Sequence, residues 1–438
     1  MKVVMFTNTY TPHVGGVARA VSGLVAGLRA RGHRVLVAAP TFAGMPKYEE
    51  DVVRIPAVQR FAGSDFSMPL PVTLPLTIEL DDFEPDIVHS HHPFLLGDTA
   101  LRVAAGRKIP AIFTYHTRYE LYGHYLGPES EVMKRLVLNL SLGYCDLCDH
   151  VIAPSESIRQ HLGRNGVTAP VSVIPSGIDC AAFAGGNAAR ALDLLAIPAG
   201  APIVGHVGRL APEKNLSFLT EALVAFLKGN PQACCIVTGD GPMRAQMEQA
   251  FMEEGLAPRL RFTGVLTGQD LADVYKAMDI FAFSSLSETQ GLVLAEAMAS
   301  GTPVVALDAP GAREVVRDGV NGRLLDADAS AEEFAGALTE IARMPRDDAQ
   351  FMRDEALETA EAFSAGTALD STIALYEEIC ALSPPPFKPS TDLWETAKRR
   401  IAREAELFGN VAQAVSDAVL VEGAENGNLQ RNDGDARP

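Results

Sequence analysis

The feature that most constrains the fold of this sequence is an alternation of short apolar runs with amphipathic segments. In the first half the apolar runs lie at Lys2–Thr7, Val35–Ala39, Val52–Ile55, Ile87–His89, Ile112–Tyr115 and Val151–Ala153. Between the first two runs, apolar residues from Val17 to Leu28 fall on one face of a helix that ends near Arg31. Strands that are apolar throughout are typical of a parallel sheet covered by helices on both faces. The first half therefore predicts an α/β domain.

The same alternation starts again after residue 200. Further apolar runs lie at Ile203–Val207, Ala233–Thr238, Arg261–Gly264, Ile280–Phe283 and Pro303–Leu307. We predict an N-terminal domain over residues 1–176, a linker over 177–200 that is rich in Ala and Gly, and a second domain over 201–383. Residues 384–438 are predicted as a Pro-rich crossover, a terminal helix over Thr391–Phe408 and a frayed tail. Two doubly wound domains bind ligands beyond the carboxyl ends of their strands, so we expect the site in the cleft between them.

Charge and hydropathy exclude several classes of function. Residues 1–200 carry 17 Lys and Arg against 18 Asp and Glu, whereas residues 201–438 carry 20 against 37. No basic stripe is present to neutralise phosphates, which argues against nucleic acid as a partner. Only the first half could approach an anionic membrane without strong repulsion. No apolar run approaches the length of a membrane-spanning helix and no signal peptide begins the chain, so we expect a cytoplasmic protein.

Metal and disulfide sites are not predicted. The six cysteines are few for 438 residues and suggest no disulfide framework. Cys145 and Cys148 could form half of a zinc site, but no second pair stands at ligand spacing. Asp326 and Asp328 directly precede a helix and are interpreted as loop and cap.

Two glutamates flank a predicted helix start in the second half. Glu288 lies in a polar loop after the strand Ile280–Phe283, and Glu296 lies in a short helix that begins near Gly291. A helix N-terminus attracts anions, above all phosphate, and carboxylates accept hydrogen bonds from sugar hydroxyls. The alternative is an ordinary strand, loop and helix with surface acids.

Two cations follow the first strand of the second domain. Arg209 and Lys214 emerge from the loop after Ile203–Val207, where they could clamp a diphosphate. The alternative is that Lys214 simply pairs with Glu213 or Asp240 on the surface. Gly239 follows the next strand and could border a nucleotide, but Arg244 stands where a dinucleotide fingerprint needs a third glycine. A nicotinamide enzyme is therefore not favoured.

The first domain offers two candidate features. Gly15 and Gly16 open a helix and would allow close approach of a phosphate or sugar, although any tight turn could use them. His116 ends the strand Ile112–Tyr115 and would face the same cleft, although a lone histidine at a strand end is often structural.

Taken in order, these motifs resemble glycosyltransferase family 4, retaining enzymes of the two-Rossmann GT-B fold. The resemblance extends from residue 1 to about residue 380. It rests on the Gly15-Gly16 loop, Pro175-Ser-Gly-Ile-Asp179, Gly208-Arg-Leu-Ala-Pro-Glu-Lys214-Asn215, and the glutamates Glu288 and Glu296 with seven residues between them.

The resemblance implies a role for each candidate residue. Arg209 and Lys214 would hold the donor diphosphate, Glu288 would contact the sugar hydroxyls, and Glu296 would accept hydrogen bonds from the ribose. Backbone near Gly15, Gly16, Gly239, Val265, Gln290, Gly291 and Leu292 would complete the donor site. His116 would lie by the transferred sugar. The family has no settled protein nucleophile, and its chemistry implies neither a metal nor a cofactor beyond the nucleotide-sugar.

Further motifs are similar to one branch of the family, the bacterial 1,2-diacylglycerol 3-glucosyltransferases. They are Phe6-Thr-Asn-Thr-Tyr10-Thr-Pro12, His89-Ser-His91-His92-Pro93-Phe94-Leu-Leu-Gly97, the run from Thr114 to Tyr125, and Ser287-Glu-Thr-Gln-Gly-Leu. This similarity implies UDP-glucose as donor and a membrane lipid as acceptor. Tyr119–Tyr125 and Val132–Leu142 could form a surface that contacts lipid peripherally, or an ordinary amphipathic helix. A soluble sugar or polysaccharide acceptor, a nucleotide-sugar epimerase and a silent binding protein remain alternatives.

Overall fold

The computed structural model describes residues 1–58, 67–70, 74–121, 131–383 and 393–432. The chain forms two compact units, one of Met1–Ile174 with Leu369–Pro438 and the other of Pro175–Ala368. A parallel sheet lies at the centre of each unit, with helices packed on it. The predicted α/β class is confirmed for both halves.

The first unit has a seven-stranded parallel sheet in the order β3-β2-β1-β6-β7-β8-β9. Its strands are β1 (Lys2–Phe6), β2 (Arg34–Pro40), β3 (Val52–Ile55), β6 (Ile87–Ser90), β7 (Ala111–Thr114), β8 (His150–Ala153) and β9 (Val171–Val173), and β4 (Ala57–Val58) and β5 (Met68–Pro69) form a small antiparallel pair. The helices are α1 (Gly16–Ala30), α2 (Leu74–Phe83), α3 (Leu96–Arg107), α4 (Glu131–Asp146) and α5 (Glu156–Arg164).

Strand β1 is central because its residues are apolar on both faces. Val3, Val4, Met5 and Phe6 are all fully buried, and α1 packs Val21 and Leu28 onto one face of the sheet. The strand order reverses between β1 and β6, which lie on either side of the topological switch point. A ligand of such a sheet binds beyond the carboxyl ends of these two strands.

The second unit has a six-stranded parallel sheet in the order β12-β11-β10-β13-β14-β15. The strands are β10 (Ile203–Val207), β11 (Cys234–Thr238), β12 (Leu260–Gly264), β13 (Ile280–Phe283), β14 (Val304–Leu307) and β15 (Gly322–Leu325). The helices are α6 (Cys180–Ala184), α7 (Ala188–Leu195), α8 (Leu216–Gly229), α9 (Arg244–Glu253), α10 (Gly268–Ala277), α11 (Leu292–Ala299), α12 (Ala331–Ala342) and α13 (Arg346–Glu361), with single 3-10 turns at Pro212–Lys214 and Ala257–Arg259. Here the switch point lies between β10 and β13.

Residues 177–200, predicted as a linker, instead fold into the second unit as α6 and α7. Both helices are capped, because the Asp179 carboxylate accepts from the Ala182 N–H at 3.0 Å and the Asn187 amide oxygen accepts from the Arg190 N–H at 3.2 Å. Arg190 also forms an ion pair with Asp273 of α10. The high Ala content suggested flexibility, but alanine is the strongest helix former once the caps are in place.

The end of the chain also differs from the prediction. Helix α14 (Ala365–Leu382) was assigned to the second domain, yet from Leu369 it belongs to the first unit, where Tyr376 and Ile379 pack with Val3 and Val21. Helix α15 (Leu393–Asn432) is much longer than predicted and packs on α3 and α4. The predicted frayed tail is thus helical as far as Asn432, while the Pro-rich crossover at 384–392 lies outside the described residues.

The remaining expectations concern membranes and cysteines. Across the described ranges, no helix combines the length and apolarity needed to cross a membrane. Cys145 and Cys148 are buried in and after α4, and each thiol donates to a backbone carbonyl four residues earlier at 3.3 Å. They behave as small buried residues, as interpreted from the sequence.

Candidate active site

The loop after β10 is positioned by the neighbouring loop after β11. The Gly208 N–H donates to the Thr238 carbonyl at 3.0 Å, and the Leu210 N–H donates to the Asp240 carbonyl at 2.9 Å. A Cβ on Gly239 would come within 1.9 Å of the Gly208 carbonyl oxygen, and φ at Gly239 is +131°. Only glycine permits this approach, which directs the following Arg209 beyond the end of the sheet. The Gly239 N–H is itself used, donating to the Gly264 carbonyl at 2.8 Å.

Lys214 and Glu288 meet at the switch point of the second sheet. The Lys214 Nζ donates to the Glu288 Oε1 at 2.5 Å, and the two side chains retain only 16% and 18% of their exposure. Lys214 belongs to the 3-10 turn after β10, whereas Glu288 belongs to the loop after β13. Lys214 thus pairs with Glu288, a second candidate residue that is largely buried, and not solely with the surface carboxylates Glu213 or Asp240.

The two loops are joined by further hydrogen bonds beneath this pair. The Ser284 hydroxyl donates to the Lys214 carbonyl at 3.1 Å, the Asn215 side-chain amide donates to the Ser284 carbonyl at 3.2 Å, and the Ser287 hydroxyl donates to the Glu213 carbonyl at 2.9 Å. These bonds fix the register of one loop against the other. Lys214 and Glu288 are therefore held in place by backbone as well as by their charges.

Electrostatics favour the ionised form of Glu288. Burial raises the pKa of this carboxyl, but the Lys214 ammonium and hydrogen bonds from Lys214 and Ser285 outweigh burial and lower it below its ordinary value. His206 lies in β10 close to both groups, and burial lowers the pKa of its imidazole to about 4. The site thus combines an anionic glutamate, a cationic lysine and a neutral histidine at neutral pH.

Arg209 supplies a second cation at the same end of the sheet. Its guanidinium contacts the Glu213 carboxylate, and its side chain is 47% exposed while that of Glu213 is 6% exposed. The buried Glu213 carboxylate therefore holds the guanidinium in place, while the exposed part of Arg209 is accessible to a ligand. Arg209 and Lys214 follow the same strand, so an anion beyond β10 could meet both.

The start of α11 places a helix N-terminus beside Glu288. Gly291 is the N-cap with φ +68°, and α11 runs from Leu292 to Ala299. Gly311 lies against this turn, since a Cβ there would come within 2.7 Å of the Glu288 Cβ. Backbone N–H groups of the first turn of such a helix are ready anion ligands. The predicted helix start is confirmed.

Two candidate side chains in this segment are already engaged. The Gln290 amide bonds the backbone of Ser176 in both directions, with both distances 2.8 Å. Glu296 is buried, and its Oε2 accepts from the Tyr275 hydroxyl at 2.8 Å. Val265, in contrast, is 59% exposed on the loop after β12. Gln290 can therefore serve a ligand through its backbone, while its side chain holds the chain at the start of the second unit.

The candidates of the first unit lie at the carboxyl end of its own sheet. Gly16 begins α1 and Gly15 is its N-cap in an extended conformation, where a Cβ would lie 3.2 Å from the His13 Nε2. His116 follows β7, and its Nε2 lies 3.0 Å from the Nδ1 of His91. Burial lowers the pKa of His116 to about 4. The structure thus groups these residues in one unit and Arg209, Lys214, Gly239, Val265, Glu288, Gln290, Gly291, Leu292 and Glu296 in the other.

Sequence reasoning missed four residues that organise these groups. His91 and Ser176 stand inside motifs that were recognised, and His206 stands in a predicted strand, but no role was assigned to any of these side chains. The contacts of Tyr275 and Ser176 have no local signal, because their partners lie 21 and 114 residues away. Their roles depend on the packing of distant segments.

Comparison with known proteins shows the family of this chain. Residues 14–182 match the family described as Glycosyltransferase Family 4, and residues 201–344 match the family described as Glycosyl transferases group 1. The chain is 33% identical to the alpha-monoglucosyldiacylglycerol synthase of Streptococcus pneumoniae, over 78% of each chain. It is also 33% identical to a GDP-mannose-dependent alpha-mannosyltransferase of Corynebacterium glutamicum, over 74% of this chain and 77% of that one.

Solved structures share the fold. The sucrose-phosphate synthase of Thermosynechococcus elongatus superimposes with a TM-score of 0.71 at 24% identity, covering 87% of this chain and all of that one. HepE of Anabaena, in complex with UDP-glucose, gives a TM-score of 0.69 at 22% identity, covering 86% of this chain and all of that one. The chain has the GT-B fold, belongs to glycosyltransferase family 4 and is a hexosyltransferase.

Proposed function

We propose that the protein transfers glucose from UDP-glucose to diacylglycerol with retention of the anomeric configuration. The observation that carries the proposal is the pairing of Lys214 with Glu288 at the switch point of the second sheet, where Arg209 lies on the same loop. A cation pair beside a carboxylate suits a ligand that carries a diphosphate and a sugar. In this proposal the Lys214 ammonium and the Arg209 guanidinium supply the positive charge that a diphosphate requires, and no metal ion is included.

Each side chain has a role in this mechanism. Lys214 and Arg209 stabilise the negative charge that grows on the diphosphate as the glycosidic bond breaks, which is often the largest catalytic contribution. Glu288, held ionised, accepts hydrogen bonds from the sugar hydroxyls once the diphosphate draws the Lys214 ammonium toward itself. The first turn of α11 donates N–H groups to the phosphate, and Glu296 accepts from the ribose.

Retention is proposed from the product name of one relative. UDP-glucose is an α-glycoside, and the relative of Streptococcus pneumoniae is named as a synthase of an alpha-glucoside. An α donor that gives an α product retains its configuration. The leaving phosphate then takes the acceptor proton on the face from which it departs, and His116 is assigned to the transferred sugar, as the family resemblance implies.

Two observations support the choice of donor and acceptor. A relative that makes a glucosyl lipid aligns over 78% of the chain, and a structure of the same fold was solved with UDP-glucose. Transfer of mannose from GDP-mannose is the second candidate, because a relative named as a GDP-mannose-dependent mannosyltransferase has the same sequence identity, 33%, over 74% of the chain. Peripheral contact of the first unit with a membrane is part of the lipid hypothesis.

The experiment that tests this proposal offers one donor to several acceptors. Full-length protein is given UDP-glucose with diacylglycerol vesicles, inositol phosphate or free sugars, and the products are identified by mass spectrometry. Proton NMR of the anomeric centre then gives the configuration. We expect α-glucosyl diacylglycerol. Glucosylation of a soluble acceptor alone, a β product, or isomerised hexose without any acceptor would contradict the proposal.

A further inference from the structure

His91 lies directly beside His116 in the first unit. The His91 Nδ1 is 3.0 Å from the His116 Nε2, and the two rings are nearly parallel at 28° with centroids 5.2 Å apart. His91 follows β6, and its backbone N–H extends the sheet by donating to the Phe6 carbonyl at 2.9 Å. The imidazole is buried, with 1% of the residue exposed. The contact therefore joins the ends of two adjacent strands.

Both rings are neutral at neutral pH. Burial, and then neighbouring histidines, hold the pKa of His91 well below its ordinary value, and burial lowers the pKa of His116 to about 4. Of the two facing nitrogens, one therefore carries a proton and the other accepts it. Whichever ring donates, the tautomer of His116 is tied to that of His91.

His91 rests on a second histidine that is fixed by three elements. The His89 ring centroid lies 4.1 Å from that of His91. The His89 Nδ1 bonds the Tyr376 hydroxyl of α14 at 2.6 Å, and its Nε2 bonds the Thr114 hydroxyl of β7 at 2.7 Å. Because both His89 nitrogens are engaged, the ring cannot turn, and it gives His91 a rigid support.

Packing alone does not explain a histidine at position 91. Its Nε2 is buried and makes no hydrogen bond to any described residue. A buried polar atom left in that state destabilises the folded protein, so an apolar ring of similar size would pack at least as well. The polar contribution of His91 is therefore the bond from its Nδ1 to His116.

We propose that His91 is a positioning residue, which sets the ring orientation and the tautomer of His116 for contact with the transferred sugar. The inference rests on the proposed function, in which His116 meets that sugar. It adds a residue that acts only through another side chain.

The test is a double-mutant cycle on the full-length protein. The variants are His91→Phe, His116→Ala and their combination, and kcat and KM for the donor are measured at saturating acceptor. We expect His91→Phe to lower kcat about five- to tenfold, as for the loss of one neutral hydrogen bond. In the His116→Ala background the same change should have no further effect, because the bond it removes is already absent.

A pair of amide variants keeps the test decisive if the phenylalanine variant folds poorly. Asparagine places an amide near the position of the His91 Nδ1, and the amide can donate or accept, whereas glutamine places it near the position of Nε2. We expect His91→Asn to recover at least half of the parent kcat and His91→Gln to recover less.

The outcomes separate this inference from the proposed function. If His91→Phe lowers kcat equally with and without His116, or if His91→Gln matches His91→Asn, the positioning role is wrong while the function stands. If His116→Ala leaves kcat unchanged, the assignment of His116 to the sugar fails, and the inference fails with it.

Discussion

Replacing Lys214 with methionine tests the pair at the switch point most sharply. Methionine keeps the length of the side chain but removes the ammonium that lies 2.5 Å from the Glu288 carboxylate. Loss of one group that stabilises developing charge lowers kcat by about 100- to 1000-fold, or about 2.7 to 4 kcal/mol. The same substitution leaves a mostly buried carboxylate without its partner.

The structure also sets the size of the stability change. Exposed ion pairs contribute about 0 to 1 kcal/mol, whereas removing one member of a fully buried pair costs about 3 to 5 kcal/mol. Lys214 and Glu288 keep 16% and 18% of their exposure, so we expect Lys214→Met to lower the free energy of unfolding by about 2 kcal/mol. For a unit of this size, that corresponds to about 4 to 8 °C in melting temperature.

A double variant separates the two effects. In Lys214→Met with Glu288→Gln no unpaired charge remains, so we expect most of the lost stability to return while activity stays low. Lys228→Met is a matched control, because the Lys228 Nζ lies 2.6 Å from the Glu254 Oε2 with both side chains about half exposed. It should change neither property measurably. Steady-state kinetics and thermal unfolding check all three variants, and a double variant that regains activity together with stability would refute the reasoning.

Three further predictions follow from single contacts. Gly311→Ala, at φ +86°, places a Cβ 2.7 Å from the Cβ of Glu288 and should lower kcat/KM at least about tenfold. Gly319→Ala is the control, because it has the same kind of backbone strain at φ +71° but its Cβ would meet no described atom within 4 Å. Its kcat/KM should match that of the parent. Tyr275→Phe removes the hydrogen bond to the Glu296 carboxylate and should raise the donor KM about five- to tenfold. A 2′-deoxyribose donor should then raise KM by a smaller factor in this variant than in the parent. An equal factor in both proteins would count against the contact of Glu296 with the ribose. Burial lowers the pKa of His89 to about 3, so this imidazole takes up a proton on unfolding at any pH between that value and the unfolded pKa of 6.5. As the pH falls below 6.5, His89 alone should lower the free energy of unfolding by about 1.4 kcal/mol per pH unit, in addition to the losses from the other buried histidines. Urea titrations that show the same stability at each pH would contradict this.

The fold was largely predictable because its signals are local. Continuous apolar runs marked β1, β10 and β13 within a residue or two, and glycine marked the start of α11. Arg209, Lys214 and Glu288 directly follow two of these strands, and ligands bind at the carboxyl ends of such strands, so the sequence indicated them as site residues. The topology places the loops after β10 and β13 at one switch point, where Lys214 and Glu288 form their ion pair.

What could not be predicted depends on contacts between distant segments. Tyr376 packs in the first unit through a hydrogen bond to His89, 287 residues away, and through contacts with β1. The grip of Gln290 on Ser176 spans 114 residues, and no local pattern indicates it. The alanine-rich segment was ambiguous at the local level, because the same residues suit a flexible linker and a short capped helix such as α7.

The central claim is the transfer of glucose from UDP-glucose to a diacylglycerol acceptor, and one competition experiment tests it most directly. Full-length protein receives diacylglycerol vesicles with equal amounts of two donors, unlabelled GDP-mannose and UDP-glucose that carries an isotopic label in its sugar. The extracted lipids are analysed by mass spectrometry. The proposal predicts labelled monohexosyl diacylglycerol, and its loss in the Lys214→Met variant. Unlabelled hexosyl lipid, or label found only in aqueous products, would contradict it.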